Sequence, residues 1–191
     1  MASTNQYYIK NMVCPRCVMA VQNAFENLGI EVRNVELGKA VVEQNEDIDE
    51  QEVEKALNKL GFELLKGREQ QKVEQIKTHL INYVKELEAE QEVPKISEYL
   101  SEKIHRNYAS LSKLFSGEED TTIEKYLIHL KIERVKELLS YDEHTLSEIA
   151  WRLNYSSVQY LSNQFRQVTG MSVTDYKKAS NSFRKSLDSI E

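Results

Sequence analysis

Residues 145–176 read TLSEIAWRLNYSSVQYLSNQFRQVTGMSVTDY, and the pattern in this stretch decides the fold of the C-terminal half of the chain. Thr145 and Glu148 stand at T-x-x-E spacing, the mark of a reciprocal cap at a helix start. Leu146, Ile149, Ala150 and Leu153 then recur at i, i+3, i+4 and i+7, which puts them on one helical face. Asn154 ends that helix, because Asn is among the few residues that accept the left-handed conformation of such a stop. Ser156 and Gln159 repeat the capping spacing, so a second helix is expected to start there. Its inward residues are Leu161, Phe165 and Val168. At about 100° per residue the opposite face carries Gln159, Asn163 and Arg166, flanked by Tyr160 and Ser162. Two short helices meeting at a tight turn, the second with a polar outward face, make a helix-turn-helix. Gln and Asn pair bidentately with adenine, and Arg with guanine, in a groove wide enough to admit a helix.

The second half of this motif has a copy 50 residues earlier. Leu111, Ser112, Phe115 and Tyr126 match Leu161, Ser162, Phe165 and Tyr176. The helix before it aligns better at an offset of 49, with Leu100 and Ile104 matching Ile149 and Leu153, so the first turn is expected to be one residue shorter. Ile123, Leu127, Leu130 and Leu138 fall on one long helix between the two repeats, opened by Thr121 or Thr122.

At the other end of the chain, a short β-prone run at 7–12 leads into Met12-Val13-Cys14-Pro15-Arg16-Cys17 and then a helix. Val18, Val21, Phe25 and Leu28 mark its buried stripe and Gly29 its C-terminal cap. Strands are expected at 30–37 and 40–44, joined at Gly38-Lys39. A helix capped by Asp49 follows, with Val53, Ala56, Leu57 and Leu60 inward and Gly61 at its end, and then a strand at 62–66. The order β-α-β-β-α-β is a ferredoxin-like pattern. Two soft thiolates on a loop running into a helix N-terminus are favoured as thiolates by the helix dipole. Such ligands select Cu(I) and similar ions. Two ligands do not close a tetrahedral structural zinc site, which needs four, so the pair implies an open, exchangeable site. Met12 suits an apolar gap in the core. A thioredoxin-like redox pair and a domain kept only for packing stand as alternatives.

Between these halves, Val73, Ile76, Leu80, Tyr83, Val84 and Leu87 keep helical spacing over 68–92. That helix either packs as the first helix of the next domain or forms a homodimer. The chain has 191 residues and a formal net charge of −6, an awkward balance for a nucleic-acid binder. The charge is uneven: residues 1–67 hold 7 Lys and Arg against 11 Asp and Glu, and 68–191 hold 18 against 20, whereas 145–185 hold 6 against 2. Phosphate-binding charge is therefore local, and the acids of Gly117-Glu118-Glu119-Asp120, read as a solvated loop, would repel phosphate. No apolar run approaches the roughly 20 residues of a membrane span, and the N-terminus lacks the apolar core of a secretory signal, so a cytoplasmic protein without a membrane partner is expected. Neither a Gly-rich phosphate loop nor a nucleophile–base set occurs, so no enzyme is expected.

The Met-x-Cys-x-x-Cys motif within its β-α-β-β-α-β frame resembles the heavy-metal-associated domains of copper chaperones and metal-transporting ATPases. That resemblance implies Cys14 and Cys17 as ligands of a soft metal ion, Cu(I) first and Zn(II) or another thiophilic ion as alternatives, loaded free or from a metal-donor protein. The tandem repeats, the string KIERVKELL between them, and L-S-E-I-A…Y-L-S-N-Q-F…G…Y in the second resemble the DNA-binding domain of the AraC/XylS transcription regulators. This resemblance implies two recognition helices in successive major-groove segments of double-stranded DNA. Ala109, Ser110, Ser112 and Lys113 would bind DNA in the first repeat, and Gln159, Tyr160, Ser162, Asn163 and Arg166 in the second.

The expected architecture is α+β: a ferredoxin-like domain at 1–67, a connecting helix at 68–92, an all-α tandem helix-turn-helix domain at 93–180 and a polar tail at 181–191. The expected function is sequence-specific DNA binding by a transcription regulator that responds to a soft metal ion. The alternative is a metal carrier or redox-responsive protein whose helical half docks on a protein partner.

Overall fold

The computed structural model describes residues 4–43, 48–89, 92–141 and 143–178, so the polar tail and Gln44 lie outside the described residues. The chain divides into two compact units, Met1–Thr78 and His79–Glu191. No helix among the described residues is long and apolar enough to cross a membrane.

In the N-terminal unit, β1 (Thr4–Lys10), α1 (Pro15–Asn27), β2 (Val32–Glu36), β3 (Lys39–Glu43), α2 (Glu50–Lys59) and β4 (Glu63–Leu65) follow in chain order. The strands make one antiparallel sheet in the order β2-β3-β1-β4. Alternation along β1 and β3 sends Tyr7, Ile9, Ala40 and Val42 to the face covered by α1 and α2, where Val21, Phe25, Val53 and Leu57 meet them. β1 starts at Thr4, before the expected run at 7–12, and ends at Lys10, because Asn11 takes a φ of 73° and turns the chain out of the strand.

Two expected core residues are exposed: Leu28 and Leu60. Both sit at the C-caps of their helices, and the backbone explains their exposure. The N–H of Gly29 bonds to Glu26 and that of Ile30 to Phe25; likewise Gly61 bonds to Asn58 and Phe62 to Leu57. These are paired Schellman motifs, in which the residue after the left-handed glycine makes the hydrophobic contact. Ile30 and Phe62 are accordingly buried, and each C-cap leucine turns outward.

The β2–β3 turn is at Leu37-Gly38, one residue before the expected pair, with Lys39 opening β3. Gly38 has a φ of 76°, and a Cβ there would lie 2.8 Å from the Thr78 hydroxyl, so only glycine fits against α3 (Arg68–Ala89). The apolar stripe of α3, Val73, Ile76, Leu80, Val84 and Leu87, is buried within a single chain.

The C-terminal unit is helical among its described residues. Beyond the end of α3 it comprises α4 (Ile96–Ile104), α5 (Tyr108–Glu118), α6 (Ile123–Tyr141), α7 (Leu146–Arg152), α8 (Val158–Thr169) and α9 (Val173–Lys178). Glu118 belongs to the last turn of α5 and Glu119 caps it, so the expected acidic loop is partly helix. The end of α3 is tied into this unit. Tyr83 donates to the Pro94 carbonyl at 3.0 Å, Tyr99 donates to Glu86 at 2.7 Å, and Arg134 grips Glu88 at 2.6 and 2.7 Å.

Candidate functional site

The residues singled out from the sequence lie in two places. The first is the loop between β1 and α1. The Asn11 side chain donates to the Gly61 carbonyl at 3.1 Å, which fixes the chain where it leaves the strand. Met12 is fully buried beneath the loop. Cys14 is the N-cap of α1, Pro15 occupies its first turn, and the Cys17 amide donates to the Cys14 carbonyl at 3.0 Å. The two thiols are free, half-buried and 3.5 Å apart.

Their protonation is asymmetric. Burial pushes the Cys14 thiol up, but hydrogen bonds from the Cys17 backbone and side chain, the Arg16 backbone and the Arg16 charge outweigh it, leaving Cys14 below its ordinary value. Burial also pushes Cys17 up, and there the Cys14 side chain and charge reinforce it, leaving Cys17 above its ordinary value. Among the described residues no group of three or more His, Cys, Asp or Glu is placed to hold a metal ion.

The second place is the pair of helix-turn-helix repeats. In the second repeat the cap at Thr145 is reciprocal: Glu148 N–H donates to the Thr145 hydroxyl at 3.2 Å, and Thr145 N–H donates to the Glu148 carboxylate at 2.7 Å. These bonds, the backbone one first, hold the Glu148 carboxyl below its ordinary value. Asn154 ends α7 with a φ of 51°, and the N–H groups of Asn154 and Tyr155 bond to Trp151 and Ala150, a third Schellman motif.

The next helix is capped by Ser157, whose hydroxyl accepts from Tyr160 N–H at 3.1 Å, and not by the expected Ser156. The chain needs an extended residue at the cap, and Ser157 supplies it with φ −163° and ψ 158°. Val168 is half-buried, less enclosed than Leu161 and Phe165.

The first repeat follows the same plan. His105 has a φ of 54° where Asn154 stands at an offset of 49, and Asn107 caps α5 where Ser157 stands at an offset of 50. One residue, Arg106, separates the first pair, and two, Tyr155 and Ser156, separate the second. From 108–126 to 158–176 the pattern of burial agrees at every position except Glu118 and Val168. Phe115 meets Tyr126 edge-on at 5.6 Å, and Phe165 meets Tyr176 edge-on at 5.4 Å. Thr122 and Ser172 cap the third helix of each repeat.

The outward faces differ. On α5, Ala109, Ser110 and Lys113 are exposed and Ser112 is half-buried. On α8, Gln159, Tyr160, Asn163 and Arg166 are exposed, and Gln159 donates to the Asn163 carbonyl at 2.9 Å, which holds the two amides as one unit. Ser162 is half-buried and spends its hydroxyl on the Val158 carbonyl at 2.9 Å. Ser157, His105, Asn107 and exposed Trp151 are positions that the sequence pattern did not single out.

Residues 100–179 match the family described as Helix-turn-helix domain, a span that covers less than half of the chain. No match is found among curated proteins.

Solved structures similar to the chain include a DNA-binding transcriptional dual regulator from Escherichia coli K-12, 19% identical, covering 54% of this chain and 89% of that one with a TM-score of 0.45. The C-terminal domain of AraT, a response regulator from Geobacillus stearothermophilus, is 22% identical, with 59% and 88% covered and a TM-score of 0.48. The DNA-binding domain of AdpA, a global transcriptional factor in complex with a target DNA, is 22% identical, with 53% and 91% covered and a TM-score of 0.44. Similarity at this level assigns neither target nor partner to this chain.

Proposed function

We propose that this chain is a sequence-specific DNA-binding transcription regulator whose N-terminal unit responds to a soft metal ion. The DNA reading is carried by one observation: the helix-turn-helix domain presents Gln159, Asn163 and Arg166 outward together on α8. These are the side chains that pair with base edges in the major groove of double-stranded DNA. Ala109, Ser110, Ser112 and Lys113 in the first repeat, with Tyr160 and Ser162 in the second, complete the proposed interface. Because the face of α5 is chemically poor, the first repeat anchors and the second discriminates.

The metal reading is supported by the β-α-β-β-α-β order of the N-terminal unit, in which the loop from β1 into α1 carries both cysteines. With metal–sulfur bonds of about 2.3 Å, two sulfurs 3.5 Å apart can share one ion without backbone movement. Cys14 and Cys17 would hold it, and the soft ion, Cu(I) by preference, would tie the loop to the first turn of α1. Regulation requires the ion to favour one state of the protein over another.

Fluorescence anisotropy on genomic DNA fragments tests both parts. Salt-dependent binding that changes on Cu(I) titration, with the change lost in C14S/C17S, is the expected result. An affinity indifferent to both Cu(I) and the double substitution removes the metal response, and an absence of salt-dependent DNA binding removes the regulator.

The 3.5 Å thiol contact and its split protonation also favour a second reading, a redox-responsive pair. The thiolate is the nucleophile, so Cys14, lowered, should alkylate faster than Cys17 at neutral pH and keep its reactivity further as the pH falls. Peptide mapping after brief iodoacetamide treatment reads the order directly, and equal rates would contradict it.

A further inference from the structure

Charged groups on α6 are mostly matched. Arg134 bonds Glu88 and Glu137, and buried Lys136 pairs with Glu133. Lys131 differs. Among the described residues its ammonium pairs with no carboxylate; it lies 4.5 Å over the ring of Tyr155. Burial pushes its pKa down to about 8.

Tyr155 is itself fixed. It is the residue after Asn154 in the turn between α7 and α8, its N–H bonds to the Ala150 carbonyl at 2.8 Å, and its hydroxyl donates to Gln164 at 2.7 Å. Its ring is 6.1 Å from that of Tyr160, on the first turn of α8. The aromatic platform belongs to the second repeat alone, because the shorter first turn has only Arg106 between His105 and Asn107.

A cation withdrawn from water and set against a π-face recovers only part of its lost hydration. Such a group gains most from an anion brought to it. In helix-turn-helix proteins the first helix crosses the sugar–phosphate backbone, while Lys, Arg and helix N-termini contact phosphate and fix the register of the recognition helix. We infer that Lys131, held on Tyr155, is a phosphate-contact residue of the second repeat and sets α8 in its groove. This inference rests on the DNA reading above and adds a residue of the linking helix to the interface.

The test uses the full chain and a duplex that the unaltered chain selects from a random-sequence pool. K131M keeps an apolar stem against the Tyr155 ring and removes the charge; K131R keeps the charge. K131M should weaken binding several-fold on every duplex alike and lower the slope of log affinity against log salt by about 1, while K131R retains the slope. An unchanged slope in K131M, or a loss confined to one sequence, overturns the phosphate contact while leaving the DNA reading intact. Absence of binding by the unaltered chain overturns both.

Discussion

The two helix-turn-helix repeats share a buried pattern and differ on their outer faces. Leu111, Phe115, Ile123 and Tyr126 stand inside where Leu161, Phe165, Val173 and Tyr176 stand inside, and the same edge-on aromatic pair closes each repeat. Outside, Ala109, Lys113 and Ser116 occupy the positions of Gln159, Asn163 and Arg166. Burial fixes how the helices cross, and the exposed side chains then decide what a common frame recognises. Duplication of the frame thus leaves each face free to specialise, and the proposed division gives holding to the first and reading to the second.

Disrupting the shared interior should produce the largest effects. Phe115→Ala and Phe165→Ala, both fully buried, should each cost about 3–5 kcal/mol in denaturant unfolding of the C-terminal unit. A tolerated substitution in one repeat with a severe one in the other would break the equivalence of the two cores. Next in size come the outward faces. Arg166→Ala should cost about 1–3 kcal/mol in binding to the preferred DNA site, whereas Ser116→Ala, at the matching position, should change little; equal losses in a binding titration would remove the division of labour.

Caps give smaller shifts. Ser157→Ala should destabilise by about 1 kcal/mol and Ser156→Ala by almost nothing, with Asn107→Ala matching Ser157→Ala. Thermal denaturation of the three variants reads this, and a larger loss at Ser156 would return the cap to that residue. The smallest effect expected is a gain: His105→Gly should stabilise by up to ~1 kcal/mol, since His105 has a φ of 54° that glycine adopts without strain. A lower melting temperature for this variant would show that the His105 side chain contributes more than its backbone costs.

Much of this frame was legible in the residue pattern because it depends on local rules. The Thr145–Glu148 cap, the left-handed Asn154, and the 49- and 50-residue offsets each follow from side-chain spacing alone. The misread positions depend on backbone conformation that spacing does not encode. Ser156 and Ser157 are the same residue type, and only the extended φ and ψ of Ser157 single it out. Leu28 and Leu60 fit a helical stripe, yet the Schellman endings pass the hydrophobic contact to Ile30 and Phe62. His105 in a left-handed conformation carries no composition signal. The Lys131–Tyr155 contact joins a residue of α6 to one 24 positions later in the turn between α7 and α8, beyond the reach of any periodicity.

At the cysteine loop, the motif named the two thiols, but their opposite shifts depend on surroundings that spacing does not give: burial, with the Cys14 side chain and charge, raises Cys17, while hydrogen bonds at the helix start and the Arg16 charge outweigh burial at Cys14. The sharpest contrast between the repeats lies at one equivalent pair, Lys113 and Asn163. Binding of the full chain to its preferred duplex and to single-base variants of it, measured for K113A and N163A side by side, tests the central claim most directly. K113A should weaken binding evenly across the duplexes and N163A should flatten the preference at one position; K113A relaxing sequence preference while N163A lowers affinity evenly would contradict the division of labour.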